Sequence, residues 1–249
     1  MGTSADFGGQ TGGAWKTYKT SAFNYARFGG EKHRKKVIKN YAAAALGGGG
    51  GGGGGGATGG GGGGGAGGLG GLVPAAQTIG AFGTRLAEDG LDAALEEVGL
   101  GHLVGSDRWD VMDGLMESLI GDGSTLDEAA ATSAIVQTLE QIFPDGADTY
   151  EELSAATLDA AGVKQLVEKF FGNYIYNHMG HTLGKYLQNC EPAQAQEREA
   201  EMRDTAHSLF SLQLGDRDPL TIDWKGPEGK AEVEAVIAEF HGYVGDADT

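Results

Sequence analysis

The residues able to do chemistry are few and widely spaced. Met1 is followed by Gly2, whose small side chain favours removal of the methionine and exposure of an α-amine. Such an amine has a pKa of about 7.7–8.0, so roughly a fifth of it is neutral and nucleophilic near about pH 7.3, against about 0.1 % of a lysine. The run 2–13 (GTSADFGGQTGG) holds five glycines, and extended it spans about 40 Å, enough to thread into the pocket of another enzyme. The opening MGTS also resembles a myristoylation signal, but Asp6 stands where that signal wants Ser or Thr. His178 and His181 lie three apart, and Cys190 and His207 could complete a zinc site with them. No pair among the four has the short loop spacing of a structural metal site. The competing reading puts His178 at the border of a core stripe, His181 in solvent and Cys190 in an apolar filler role. The acidic segments 122–128 and 216–223 depart from the Asp-x-Asp-x-Asp-Gly cation loop and read as helix caps and turns. A G-x-S-x-G elbow, an H-E-x-x-H helix, a Walker A sequence and paired cysteines are all missing from the sequence. A G-x-G-x-x-G match falls inside a glycine run with no strand before it and carries no information. These residues define no catalytic centre and no cofactor or metal site, so a non-enzymatic protein is expected.

Charge and glycine divide the 249 residues into unequal parts. Lys and Arg number 18 against 35 Asp and Glu, for a net charge of −17. Residues 1–46 carry +6 and residues 72–249 carry −23. Of 47 glycines, 21 fall within 47–71, without the three-residue period or the proline of a collagen. A single cysteine excludes a disulfide framework and fits a reducing compartment. No apolar run approaches the roughly 18 to 20 residues of a membrane span, and the first twenty residues lack the apolar core of a signal peptide. The expectation is a cytoplasmic protein with no membrane contact.

The elements that must position these groups are helical throughout. Residues 1–14 read as a disordered tail. Residues 15–46 form a basic, aromatic-rich helical arm: five aromatics between Trp15 and Phe28 alternate with Lys16, Lys19 and Arg27, then Gly29-Gly30 punctuate a helix predicted over Glu31–Leu46. That helix is basic on most sides through Lys32, Arg34, Lys35, Lys36 and Lys39, leaving Val37, Ile38, Tyr41 and Ala45 for apolar contact. Residues 47–71 form a poly-Gly linker with a coil span of about 25 to 30 Å, which would let the arm move relative to the rest of the chain. Residues 72–249 form an acidic all-α, bundle-like domain of seven or so amphipathic helices. Pro74 and Pro192 suit first turns, Gly90 separates two helices, and Thr125–Glu128 and Thr149–Glu152 are capping boxes. The widest apolar stripe runs over Val163–Leu187, and the helix opened by Pro192 is expected to become apolar near Leu209–Leu214.

Interleaved aromatics and cations suit single-stranded nucleic acid. The acidic domain would repel a long polyanion, however, so docking of the arm on an acidic partner or on the protein's own acidic domain is the favoured reading. Either form of charge-driven docking would weaken with salt.

The opening MGTS, the Phe28-Gly29-Gly30 and basic-helix segment ending at Tyr41, the glycine tract, and the GDGSTLDE segment at 121–128 together resemble the QatB family of the Qat anti-phage defence system. The resemblance covers most of the chain as an order of features, without the proline-rich N-terminal text frequent in that family. It implies a non-enzymatic component acting beside a KAP-type P-loop ATPase (QatA), an enzyme similar to QueC of deazaguanine synthesis (QatC) and a TatD-like nuclease (QatD). QueC-type chemistry activates a deazaguanine carboxylate as an adenylate that an amine then attacks to give an amide. Joined to the reading of the N-terminus, this implies deazapurine conjugation at Gly2, with Thr3 and Ser4 recognised in the pocket and Gly8, Gly9, Gly12 and Gly13 giving the chain access. The alternative is a scaffold that docks the ATPase and nuclease, or nucleic acid, through the basic arm.

Overall fold

The computed structural model describes residues 12–46, 71–119, 126–143, 147 and 149–246. Among them stand ten α-helices and no strand. They are α1 (Gly13–Phe28), α2 (Glu31–Leu46), α3 (Leu72–Asp89), α4 (Leu91–Glu97), α5 (Arg108–Leu119), α6 (Leu126–Leu139), α7 (Tyr150–Ser154), α8 (Ala160–Leu187), α9 (Pro192–Ser208) and α10 (Pro227–Asp246). The all-α class expected from periodicity is the observed one.

Local chemistry sets the helix ends. Gly29 (φ 62°) and Gly30 (φ 81°) take left-handed backbone that stops α1 and turns the chain into α2. Gly90 (φ 86°) does the same between α3 and α4. Thr149 and Glu152 form the reciprocal capping box of α7. Asp159 caps α8 by accepting from the Gly162 amide at 2.7 Å. Pro192 sits in the first turn of α9. The expected Thr125 box and the Gly121–Gly123 stop lie outside the described residues.

The 28-residue α8 is the axis of the fold, packed by α6, α3, α9 and α1, while α10 joins α2 to α3. Its length leaves few solvent-facing positions near the middle: Phe170, Phe171, Tyr174, Ile175 and Met179 are all fully buried. After Ser208 the chain departs from expectation. Residues 210–214 are not helical, and Phe210, Leu212 and Leu214 are buried while Ser211 and Gln213 are exposed. The period here is two, and the Leu212 amide donates to the Glu168 carboxylate at 2.8 Å.

The arm is part of this core. Tyr18, Ala22, Tyr25, Val37, Ile38, Tyr41 and Ala45 are completely buried, and Trp15 nearly so. On α1 the positions 15, 18, 22 and 25 form one helical stripe laid against α8. Fully burying a large apolar side chain contributes about 1.5–3 kcal/mol, whereas a partly exposed ion pair contributes about 0–1 kcal/mol. An ion pair, Arg34 to Glu201 at 3.1 Å, also ties the arm's basic helix to α9. The arm thus docks on the protein's own acidic domain, one of the two docking partners expected, and its buried apolar stripe carries most of the contact.

Candidate functional site

The N-terminal end of α1 is exposed. Gly12 (φ 99°), Gly13 and Ala14 are exposed, and among the described residues no atom beyond the adjoining backbone lies within 4 Å of where a side chain at Gly12 or Gly13 would begin. Gly12 provides the left-handed backbone from which the helix starts. Gly2, Thr3, Ser4, Gly8 and Gly9 lie outside the described residues.

The five cations proposed as arm contacts differ in environment. Lys32 and Lys36 are exposed, Arg34 is half-buried against Glu201, and Lys35 pairs with Glu31 at 2.7 Å one turn earlier. That contact lowers the Glu31 pKa. Lys39 is half-buried. Glu201 is shared: the Tyr25 hydroxyl donates toward it at 3.0 Å and toward the Arg198 carbonyl at 2.9 Å. Burial and the neighbouring carboxylate raise the Tyr25 pKa.

Between α1 and α2 lies a polar groove of about 390 Å³ with Lys16, Lys36 and His33 along it. A second recess of about 450 Å³ lies on another side of α1, lined in part by Phe23, Tyr186, Cys190 and Arg198. The Cys190 thiol donates to the Ala26 carbonyl at 2.9 Å and accepts from Arg198 at 3.5 Å. Cys190 therefore joins the α8–α9 corner to the end of α1, more than the apolar filling expected of it.

The four residues of the zinc alternative are distributed among different surroundings. His178 is buried in an aromatic nest, 5.5 Å from the ring of Tyr41, 6.1 Å from Tyr174 and 6.2 Å from Trp15. Desolvation, with a smaller contribution from His181, pushes its pKa down to about 4. His207 lies on α9 against the bare backbone of Gly172. Among the described residues no group of three or more His, Cys, Asp or Glu is placed to hold a metal ion. In the acidic segment 216–223, Asp218 accepts from the Leu220 amide at 2.9 Å and Asp223 from the Gly226 amide at 3.1 Å, the cap and turn roles expected. Asp127 accepts from the Gly71 amide, fixing the start of α3 to α6. Sequence reasoning missed the groove, because its residues are read as a solvated face until α1 and α2 are folded on each other.

An all-helical body with a basic two-helix face and an exposed helix start defines the class of architecture. The sequence model of the family described as "Qat anti-phage system associated protein QatB" matches residues 60–242. The chain belongs to the QatB family, and that membership gives it a role in Qat anti-phage defence and partners within that system. The match spans α3 to α9 and most of α10, beginning after the arm. No curated protein and no solved structure matched the chain. Among the described residues no helix is long and apolar enough to cross a membrane.

Proposed function

We propose that this Qat component is the protein acceptor of a nucleobase conjugation. The Gly2 α-amine, once Met1 is removed, attacks an acyl adenylate of a deazapurine carboxylate made by the QueC-like partner. An amide bond forms, AMP leaves, and the amine gives up one proton. The observation that supports this reading is the exposed start of α1 at Gly12 and Gly13, the described residues nearest Gly2 in the chain. Eleven residues reach about 35 to 40 Å when extended, which suits a deep pocket on a partner. Gly at position 2 keeps the nucleophile unhindered, and Thr3 and Ser4 give the pocket something to select.

Intact mass measured after co-expression with the QueC-like partner tests the proposal. An adduct on the N-terminal peptide is expected, and it should vanish in Gly2→Pro or when the N-terminus is acetylated. No adduct on the wild-type chain, or one that survives blocking of the amine, would sink the proposal. A scaffold acting through the basic arm predicts the reverse: defence intact in Gly2→Pro and lost on reversing Lys35, Lys36 and Lys39.

A further inference from the structure

The groove between α1 and α2 has a composition that its packing role does not use. Its cationic side chains are Lys16 and Lys36, with His33, Asn24 and Asn40 beside them and, among the described residues, no carboxylate in its lining. Lys16 and Lys36 are exposed. Three hydroxyls complete it: Thr17, Thr20 and Ser21 donate their protons to the carbonyls of Gly13, Lys16 and Tyr18. Each oxygen keeps acceptor capacity; Thr17 and Thr20 are exposed, whereas Ser21 is buried. At one end His33 leads to Phe28, whose ring lies 5.8 Å away at 32° and is 61 % exposed. The Arg27 guanidinium lies 5.4 Å from the centre of the same ring.

We infer that this face binds single-stranded nucleic acid, with the phosphates along Lys16 and Lys36 and a base stacked on Phe28. An acidic peptide presents carboxylates that match the lysines and backbone N–H groups that match the hydroxyl lone pairs, but it leaves the exposed aromatic plane of Phe28 unused. A nucleic-acid strand presents acceptors on its phosphates, donors on base edges and sugar, and a flat ring of the right size for Phe28. The groove offers a partner for each. The negative charge of the rest of the molecule opposes a long polyanion, but at physiological salt charges beyond about 8 Å are largely screened. Short strands are therefore the expected ligands. The inference is independent of any chemistry at Gly2.

Fluorescence anisotropy with the full chain tests it, using labelled mixed-sequence 12-mers of single-stranded DNA and RNA and a poly-Glu peptide of equal charge. Saturable binding of an oligonucleotide is expected, at least ten-fold tighter than the peptide. Lys16→Ala with Lys36→Ala should weaken it about ten-fold or more and flatten the dependence of log K on log salt by about 0.7 per lysine. Phe28→Ala should weaken it about five-fold or more at an unchanged salt slope, the signature of a lost stack. All three side chains are exposed, and circular dichroism confirms that each variant folds. Stronger binding of RNA than DNA would assign the hydroxyl acceptors to the ribose 2′-OH, and equal binding would assign them to base edges. The inference is overturned by an absence of saturable binding, by a peptide that binds as tightly, or by a Phe28→Ala variant that binds like the wild type.

Discussion

The phenol of Tyr18, on the first helix, donates a hydrogen bond of 2.8 Å to the carbonyl of Met179, 161 residues later in the sequence. Both residues are fully buried, and burial raises the Tyr18 pKa, which keeps the hydroxyl protonated and donating. The contact joins the positively charged arm to the central helix without using any charge.

Tyr18→Phe should therefore cost about 1 kcal/mol, the net worth of one buried hydrogen bond, and leave the arm in place. Tyr18→Ala should release it, because most of the holding energy is apolar area. Limited proteolysis between α1 and α2 reads both. Raising NaCl to about 1 M should leave wild-type protection unchanged, whereas a charge-held arm would open.

Trp224 lies on the backbone of Gly80. A Cβ at that position would come within 2.3 Å of the indole, whose Nε1 donates to the Pro219 carbonyl at 3.1 Å. Gly80→Ala should destabilise the fold by about 1–3 kcal/mol or more, since the ring is held from both sides. Gly180→Ala is the control: it sits inside α8 with open space where its Cβ would be. It should stabilise by about 0.5–1 kcal/mol through helix propensity alone. Urea midpoints at constant m-value separate the two.

His178 supplies a pH dependence whose sign is fixed. Its folded pKa is about 4 and its unfolded value is about 6.5. The unfolded chain thus binds more protons between these values, and stability falls as pH drops below about 6.5. The loss should be about 2 kcal/mol by about pH 5 and grow until about pH 4. In His178→Phe the part of the acid sensitivity above about pH 4 should shrink by that amount. A variant whose melting temperature tracks wild type from about pH 7.5 to 4.5 would remove His178 from the account.

Asp159→Ala removes the acceptor at the start of α8 and should cost about 1 kcal/mol, with Asp159→Ser recovering most of it. The midpoint of urea unfolding is the measurement. Equal stability of all three would mean that water caps the Gly162 amide as well.

Much of the fold was legible because its signals are local. Glu31–Leu46 follows directly from helix formers bounded by Gly29-Gly30, and Gly90, Pro192 and the Thr149–Glu152 box mark ends that need no long-range information. The non-helical stretch after Ser208 was also legible in principle: Phe210, Leu212 and Leu214 alternate with polar residues, a period-two signal masked by the helix before it. The docking of the arm was not, because the same aromatics at 15, 18 and 25 serve equally as a core stripe or as stacking surfaces. What decides between these is a partner helix more than 150 residues away. The groove has a nearer cause: Lys16 and Lys36 come to line one groove only when the turn at Gly29 folds α2 back on α1. Gly2 and the residues just after it lie outside the described residues, so the reading at that end rests on amine chemistry and on family membership.

Because α1 and α2 share one core with α8, α9 and α10, the glycine tract joins two pieces that would associate without it. A chain opened anywhere between residues 47 and 70 should remain a single particle in solution, its two fragments held by the Trp15–Tyr41 stripe. Made separately, residues 12–46 and the remainder should reassemble as split halves, and their dissociation constant would measure directly what the covalent connection contributes as an effective concentration.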